Sequence, residues 1–370
     1  MADARRRFFR PTWAEVDLGA LKANLKRFKA RMSRGVKLLF VVKANAYGHG
    51  AAPCALAAQS SGLADWLGVS SVEEGVALRE AGVRLPILVL GSLYPFESFL
   101  AAAEFGLTPT VASLESARRL AAVAERLGKR VDCHLKIETG MSRIGVRPAA
   151  AAAVVDYLSG QRLVCVQGVY THLSCAESDA GFTRRQLAQF RQALRSMGRV
   201  PLLHAANSAG ALKYPGSRFD LVRPGLAIYG NYSGFEPVMS LKTKVVFLKT
   251  APKGTPVGYG ATFKTKRRSR IATLPVGYAD GVSRGLSNEG SVLLGGRRCP
   301  IVGNISMDMA MIDVTGAPGV SVGDDAVLIG SQGSERITAS EVAGALRTIP
   351  YEVTCSISSR VPRVYLRRSA

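Results

Sequence analysis

Between about residue 17 and residue 230, apolar runs alternate with amphipathic stretches along the chain. "VKLLFVV", "DWLGVS", "PILVLGS", "TPTVAS", "RVDCHLKIE", "LVCVQGVYTH", "VPLLHAANS" and "GLAIYG" read as strands. "DLGALKANLKRFKARM" precedes the first of them as an amphipathic helix. Further helices are expected in "GHGAAPCALAAQSSG" and "VEEGVALREAG", near 95–105, and over 113–127, 148–159 and 178–197. Strands that are apolar throughout and separated by helices are parallel strands buried on both faces. Eight such units in roughly 220 residues predict a closed (β/α)8 barrel rather than an open sheet.

After residue 235 the texture changes. "LKTKVVFLKT", "RIATLPVGY", "GSVLLGG", "CPIVGNIS", "AMIDVT", "DAVLIG" and "EVTCSISS" read as short strands between Gly- and Pro-rich turns. One helix, "TASEVAGALRT", interrupts them, with Thr338 as N-cap and Glu341 closing a capping box. The pattern divides the chain into a barrel over 14–235 and a mostly antiparallel β domain over 236–370, with residues 1–13 joining the second.

In such barrels the reacting groups sit at the C-terminal ends of the strands. Those ends carry Lys43, Ser92, Lys136 with Glu138, His172, His204 with Asn207 and Ser208, and Arg223 opening the last unit. His134 shares the inward face with Lys136 and reads as barrel filling. A lysine at the end of an apolar run is out of place in a strand core, because an unpaired buried ammonium loses its hydration. One reading is an amine that forms a Schiff base with an aldehyde substrate or with pyridoxal phosphate (PLP). The other is a lysine that snorkels to solvent. A cofactor phosphate needs a cradle of its own. Ser208 at a helix start, the backbone of Gly225 and Leu226 in "RPG", and the phenol of Tyr47 supply candidate donors. Each of these also has an ordinary reading as a turn residue or cap.

Composition narrows the classes. The chain has 370 residues, 47% hydrophobic and 21% charged, which suits a soluble globular protein with sizeable cores. The N-terminal "MADARRRFFRPTWAEVD" is positive with no apolar stretch after it, so neither a secretory signal nor a membrane span is expected, and the cytoplasm is the expected location. Six scattered cysteines without a CxxC pair read as reduced thiols, and four histidines without ligand spacing predict no metal site. The net charge of +22 raises nucleic acid as a partner. Basic residues are spread from end to end, with short runs only at 5–7 and 266–268, so a basic surface is favoured over a nucleic-acid site.

Taken together, "VVKANAYGHG", "KIETGMSRIG", "THLSCAE", "HAANSA", "RPGLAIYG", "VGYGATF", "VGYAD" and "GNISMDMAMIDV" resemble the alanine racemases, in order and along nearly the whole chain. The resemblance implies PLP-dependent, two-base interconversion of L- and D-alanine, with D-alanine supplied for peptidoglycan. It implies a homodimer whose active sites are shared between subunits. Lys43 then matches the lysine that binds the PLP aldehyde. Tyr259 matches the second base, reaching into the other subunit's barrel. His172 matches a residue that links this tyrosine to Arg223. Arg223 matches the arginine facing the pyridine nitrogen, with His204 supporting it; a guanidinium has no acceptor, so that nitrogen stays unprotonated. Tyr47, Ser208, Gly225 and Leu226 match phosphate contacts. Lys136 and Arg143 match a pair in which the lysine is often carbamylated, Arg143 also meeting the substrate carboxylate. Met307 matches a substrate contact, and Tyr278 and Asp308 line the channel to the site. "SMDMAM" reads equally as a methionine-rich core strand. Asn45 and His49 are assigned to loop hydrogen bonding.

Two positions depart from the family pattern. Ser142 replaces a glycine, a change of small expected effect. Ser359 stands where a tyrosine helps to hold the phosphate and bounds the substrate pocket, which raises a broader alanine/serine racemase as an alternative. A non-catalytic PLP-carrier barrel is the other alternative; such barrels lack the β domain carrying the second base.

Overall fold

The computed structural model describes residues 9–366. Residues 1–8, which hold the arginine run at 5–7 and most of the segment expected to join the β domain, lie outside the described residues. The chain packs as two compact units. One comprises Lys22–Ala46 and Ala51–Ile228; the other takes in residues up to Leu21, Tyr47–Gly50 and the chain from Tyr229 on.

The first unit is the expected parallel barrel. Its strands are Lys37–Val41, Trp66–Val69, Ile87–Val89, Thr108–Val111, Val131–Lys136, Val164–Tyr170, Leu202–His204 and Leu221–Val222. The first seven pair in parallel, each with the next, and Leu221–Val222 returns to pair with Lys37–Val41. The gap between Leu202–His204 and Leu221–Val222 is bridged by Asp220, whose N–H donates to the Leu203 carbonyl and whose carboxylate accepts from the Leu203 N–H. Leu38, Leu39, Phe40, Leu67, Ile87, Leu88, Val111 and Leu135 are fully buried or nearly so, as strands covered on both faces require.

One barrel strand falls elsewhere than expected. "GLAIYG" is a turn, closed by the Ile228 N–H on the Gly225 carbonyl, and the eighth strand is Leu221–Val222 just before it. Pro224 lacks an N–H and cannot extend a ladder. Arg223 therefore ends the last strand rather than opening it.

The second unit is mostly antiparallel. Its largest sheet runs Arg297–Pro300, Ser291–Leu294, Asp325–Gln332, Met239–Lys244, Thr12–Asp17 and Arg363–Leu366. A three-stranded sheet joins Phe247–Ala251, Ser269–Leu274 and Ala310–Asp313. "LKTKVVFLKT" is thus divided between two sheets, and Thr12–Asp17 is a strand the hydrophobic pattern did not announce. "EVTCSISS" was expected as a strand because it is rich in β-branched residues. It forms instead the end of a helix, Pro350–Cys355, with Pro350 at the first helical position where its missing N–H costs nothing. Thr338 caps Ala339–Leu346 by accepting from the Glu341 N–H. The capping box is only half formed, because the Glu341 carboxylate pairs with Arg298.

Candidate active site

Arg223 organises the barrel mouth. It is 4% exposed and follows the last strand directly. Its Nη1 lies 2.8 Å from His204 Nδ1, and its Nη2 lies 2.7 Å from the Thr171 carbonyl, 3.0 Å from that of Ala205 and 3.2 Å from His172 Nδ1. A guanidinium only donates, so both Nδ1 atoms accept and each imidazole carries its hydrogen on Nε2. His204 Nε2 then donates to His134 Nδ1, 2.9 Å away. One arginine thereby fixes the tautomers of three histidines. His134 was read as filling; it ends this chain of hydrogen bonds, and its own Nε2 has no partner among the described residues. Gly168 makes room for it, since a Cβ there would come within 2.6 Å of the imidazole.

The same geometry keeps the three rings neutral. Burial and the Arg223 charge push His134 down to about 3 and hold His172 and His204 well below the ordinary histidine value. Burial also lowers Arg223 to about 10. Tyr170, unnoticed in the sequence, stacks on His204 at 4.7 Å between centroids and lies 5.1 Å from the Arg223 guanidinium. Its hydroxyl is tied to Thr110 Oγ1 at 2.9 Å. It stands two residues before His172, on the same strand face, which is the one signal that could have found it.

Lys136 is buried at the end of its strand, 5.7 Å from the Tyr170 ring. Burial first, then the charges of Arg143 and Arg223, bring its ammonium down to about 8. The expected like-charge crowding of Lys136 and Arg143 is therefore present. Arg143 itself is exposed. The Glu138 charge acts on Lys136 in the opposite sense, and its carboxylate accepts from the backbone N–H groups of Gly140, Met141 and Arg143 and shapes their loop. Ser142, in that loop, has φ 54°, a left-handed conformation that costs a residue with a Cβ roughly 1–2 kcal/mol.

Lys43 is half-buried, one residue past Val42, and its charge acts on both Lys136 and His172, so it belongs to the same mouth. The turn after it is left-handed. Ala44, Asn45 and Ala46 have φ 51°, 53° and 55°, and Tyr47 has φ 52°. Four consecutive non-glycine residues in this region cost on the order of several kcal/mol. Asn45 Oδ1 accepts from the Ala51 N–H at 2.8 Å, which gives it a loop hydrogen-bonding role. Ser208 opens the helix Ser208–Lys213, with Asn207 as the cap. Ser208 Oγ accepts from the N–H groups of Gly225 and Ala227, so the Gly225 N–H faces Ser208 here.

The β unit presents the other candidates. Tyr259 occupies the tip of the hairpin formed by Pro256–Val257 and Phe263–Lys264 and is 76% exposed. Gly258 and Gly260 flank it with φ 73° and 74°, so the tip demands glycine on both sides. Asn304 Nδ2 donates to its carbonyl at 2.8 Å. The Tyr278 and Ala279 N–H groups donate to the Ser306 and Met307 carbonyls, which joins the Tyr278 and Met307 loops. Tyr278, Met307 and Met309 are all exposed, so the reading of "SMDMAM" as a core strand does not hold for its outer methionines. Asp308 pairs with Arg360 at 2.6 Å. Tyr47 packs on Tyr229 at 5.0 Å, and burial raises its phenol above the ordinary range. His49 Nδ1 meets the Tyr47 carbonyl at 3.0 Å. Ser359 lies exposed in the turn after Pro350–Cys355.

Within the barrel unit, then, Lys43, Lys136, His172, His204, Arg223, Ser208 and Gly225 sit around one mouth. Tyr47, Tyr259, Tyr278, Met307 and Asp308 belong to the β unit. The barrel donors suit PLP. The mouth is cationic, as an anionic phosphate cofactor and a carboxylate substrate require. Lys43 offers an amine to an aldehyde. Among the described residues, no hydrogen bond occupies the Arg223 Nε–H, which leaves a fixed donor for a ring nitrogen.

The fold and the site define a class: a (β/α)8 barrel with an amine- and guanidinium-lined mouth, followed by a β domain. Residues 16–233 match the family model of the alanine racemase N-terminal domain, and residues 238–365 match that of its C-terminal domain. The chain is 46% identical to the alanine racemase of Symbiobacterium thermophilum, covering 96% of this chain and 97% of that one. It is 43% identical to that of Halothermothrix orenii, over 97% and 98%. Among solved structures, the alanine racemase from Bacillus anthracis with bound L-Ala-P superposes with a TM-score of 0.91 at 37% identity, over 98% of this chain and 97% of that one. The chain belongs to the alanine racemase family.

Proposed function

We propose that this chain interconverts L- and D-alanine by moving the Cα proton with two bases, one on each face of the substrate, and that its cofactor is PLP. The observation that carries the reading is the Arg223–His172–His204 array at the mouth that also holds Lys43, in a chain matching both alanine racemase domains. Bound PLP would supply an aldehyde for amines and a conjugated ring that takes up the electron pair left when Cα loses its proton. Lys43 holds that aldehyde and serves as the base on one face. Arg223 meets the ring nitrogen with a donor, which favours its unprotonated form. Ser208 and Tyr47 contribute to holding the phosphate, with Gly225 and Leu226 beside them, and Arg143 and the Met307 backbone receive the substrate. Tyr278 and Asp308 line its approach.

Tyr259 serves the opposite face. An ordinary phenol is a weak base near neutral pH. His172, with Nδ1 occupied by Arg223, has only its Nε2–H to offer, and a donor beside a phenolate oxygen stabilises that anion. Tyr259 comes from a second copy of the chain. Its exposure, with Tyr278, Met307 and Met309, leaves an aromatic and methionine surface of the kind buried between subunits. Lys136, lowered to about 8, holds a share of free amine near neutral pH, the form that carbon dioxide carbamylates. The resulting anion would relieve the crowding among Lys136, Arg143 and Arg223. As a cytoplasmic homodimer the protein would supply D-alanine for peptidoglycan.

A racemisation assay on alanine, paired with borohydride reduction of the PLP-loaded protein, tests the reading. Lys43 should carry the fixed pyridoxyl group, and Lys43→Ala should lose both the group and at least about three orders of magnitude of turnover. A pyridoxyl group fixed elsewhere, or none at all, would refute it.

Ser359 favours a second reading, a broader alanine/serine racemase, because a hydroxyl and open space replace a large phenol. Ser359→Tyr should then lower serine turnover severalfold more than alanine turnover, since pocket size discriminates by roughly 1–3 kcal/mol. Equal changes for both substrates would leave alanine as the one substrate. The β domain with its Tyr259 tip speaks against a non-catalytic PLP carrier.

A further inference from the structure

The left-handed turn after Lys43 has an anchor that neither the fold nor the relay explains. Glu74 is the third residue of the helix Val72–Glu80, which Ser71 caps by accepting from the Glu74 N–H. The spacing Ser71-x-x-Glu74 is that of a capping box, in which the glutamate would return to the cap's own N–H. Here its carboxylate reaches outward. Oε1 accepts from the Ala44 N–H at 2.7 Å, and Oε2 accepts from the Ser70 N–H at 2.7 Å. Ala44 is the residue after Lys43, and Ser70 is the residue after the strand Trp66–Val69. A single carboxylate thus ties together the ends of two adjacent barrel strands through short, charge-assisted bonds.

We propose that Glu74 is a positioning residue for Lys43: it holds the strained left-handed turn that aims the Lys43 amine at the barrel mouth. This rests on the reading of Lys43 as the residue that binds the PLP aldehyde. Within "KANAY" only Asn45 enters the left-handed region readily; the two alanines and the tyrosine do not, and there is no glycine. Three hydrogen bonds are among the contacts that hold it. The Ala46 N–H donates to the Val42 carbonyl, Asn45 accepts from Ala51 at the far end, and Glu74 accepts from Ala44 at the end next to Lys43. Without the last, Ala44 is free to return to its preferred backbone region, and the Lys43 side chain turns with the peptide that joins them. The strain is tolerated at a functional site because the surroundings over-determine it.

The test is the rate at which apo-protein captures PLP at Lys43, read by borohydride trapping and peptide mapping, alongside thermal unfolding of the same apo-proteins. Glu74→Gln replaces one acceptor with an NH2 that faces an N–H, and it should slow capture about tenfold, with Glu74→Ala slowing it by up to about a hundredfold, the loss that a displacement of about 1 Å gives. Both apo-variants should unfold within a few degrees of the parent, since relieved strain offsets the lost bonds. Glu73→Gln, which removes a charge one residue away on the exposed side, should leave capture unchanged. Adding Ala44→Gly to Glu74→Ala should recover capture severalfold, because glycine enters the left-handed region freely. Parent-like capture by both Glu74 variants, or a loss matched by Glu73→Gln, would overturn the proposal. So would slow capture that tracks a lowered unfolding temperature without rescue by Ala44→Gly. If the parent itself fixes no pyridoxyl group on Lys43 while racemising alanine, the reading of Lys43 fails, and this inference with it.

Discussion

The barrel unit hides its polar site residues, while the β unit displays its apolar ones. Arg223, His204 and Lys136 are buried, and Arg223 meets His204 and His172 within the barrel unit. Tyr259, Tyr278 and Met307 are exposed, and among the described residues their hydrogen bonds run through the backbone. Burying charge and imidazole costs free energy unless each group is hydrogen-bonded, and here Arg223 meets the Nδ1 atoms of His204 and His172. Exposing Tyr259 on a glycine-flanked tip, with Tyr278 and Met307 exposed on their own loops, carries the opposite message. The barrel half is pre-organised by contacts within its own unit, and the β half presents these side chains to solvent.

Tyr259→Phe separates the halves with the largest effect. It should lower proton transfer on its face by about 10²–10⁴-fold, while PLP capture at Lys43 stays at the parent level, because every proposed PLP contact remains. Equal loss of capture would show that Tyr259 acts inside the barrel half. Acid should break the barrel half selectively. Three neutral histidines, His134 and His204 buried and His172 half-buried, have folded values depressed below 6.5, so as pH falls below 6.5 the unfolded chain binds protons that the folded barrel refuses. The sign follows directly: stability is full above pH 6.5 and declines below it, by up to about 4 kcal/mol per pH unit while all three sites discriminate. Denaturant melts from pH 7.5 to 5 check this, and His134→Phe should reduce the slope by about one proton.

The contrast also explains what the sequence disclosed. Lys43, His172, His204 and Arg223 were legible because strand ends at a barrel mouth are where ionisable groups have a use. His134 fills the barrel as its inward parity implies, but parity alone does not reveal its hydrogen bond to His204. Tyr170 hid in an apolar run for the same reason. "EVTCSISS" and the left-handed "KANAY" turn went unseen because tertiary contacts overrode local preference: Pro350 starts a helix where β-branched residues suggested a strand, and Glu74 holds a turn that alanines alone would not form. The eighth strand was displaced by a few residues because "GLAIYG" is as apolar as a strand, yet Pro224 and Gly225 turn it.

The sharing of sites between copies is tested most directly by mixing two inactive proteins. Lys43→Ala chains keep Tyr259, and Tyr259→Phe chains keep Lys43. After random subunit exchange, half of the dimers pair one of each, and each such dimer regains one complete site of two. Alanine racemisation should therefore return to about a quarter of the parent level. A mixture that stays as inactive as its components after demonstrated exchange would contradict the account, placing Lys43 and Tyr259 in one chain's site.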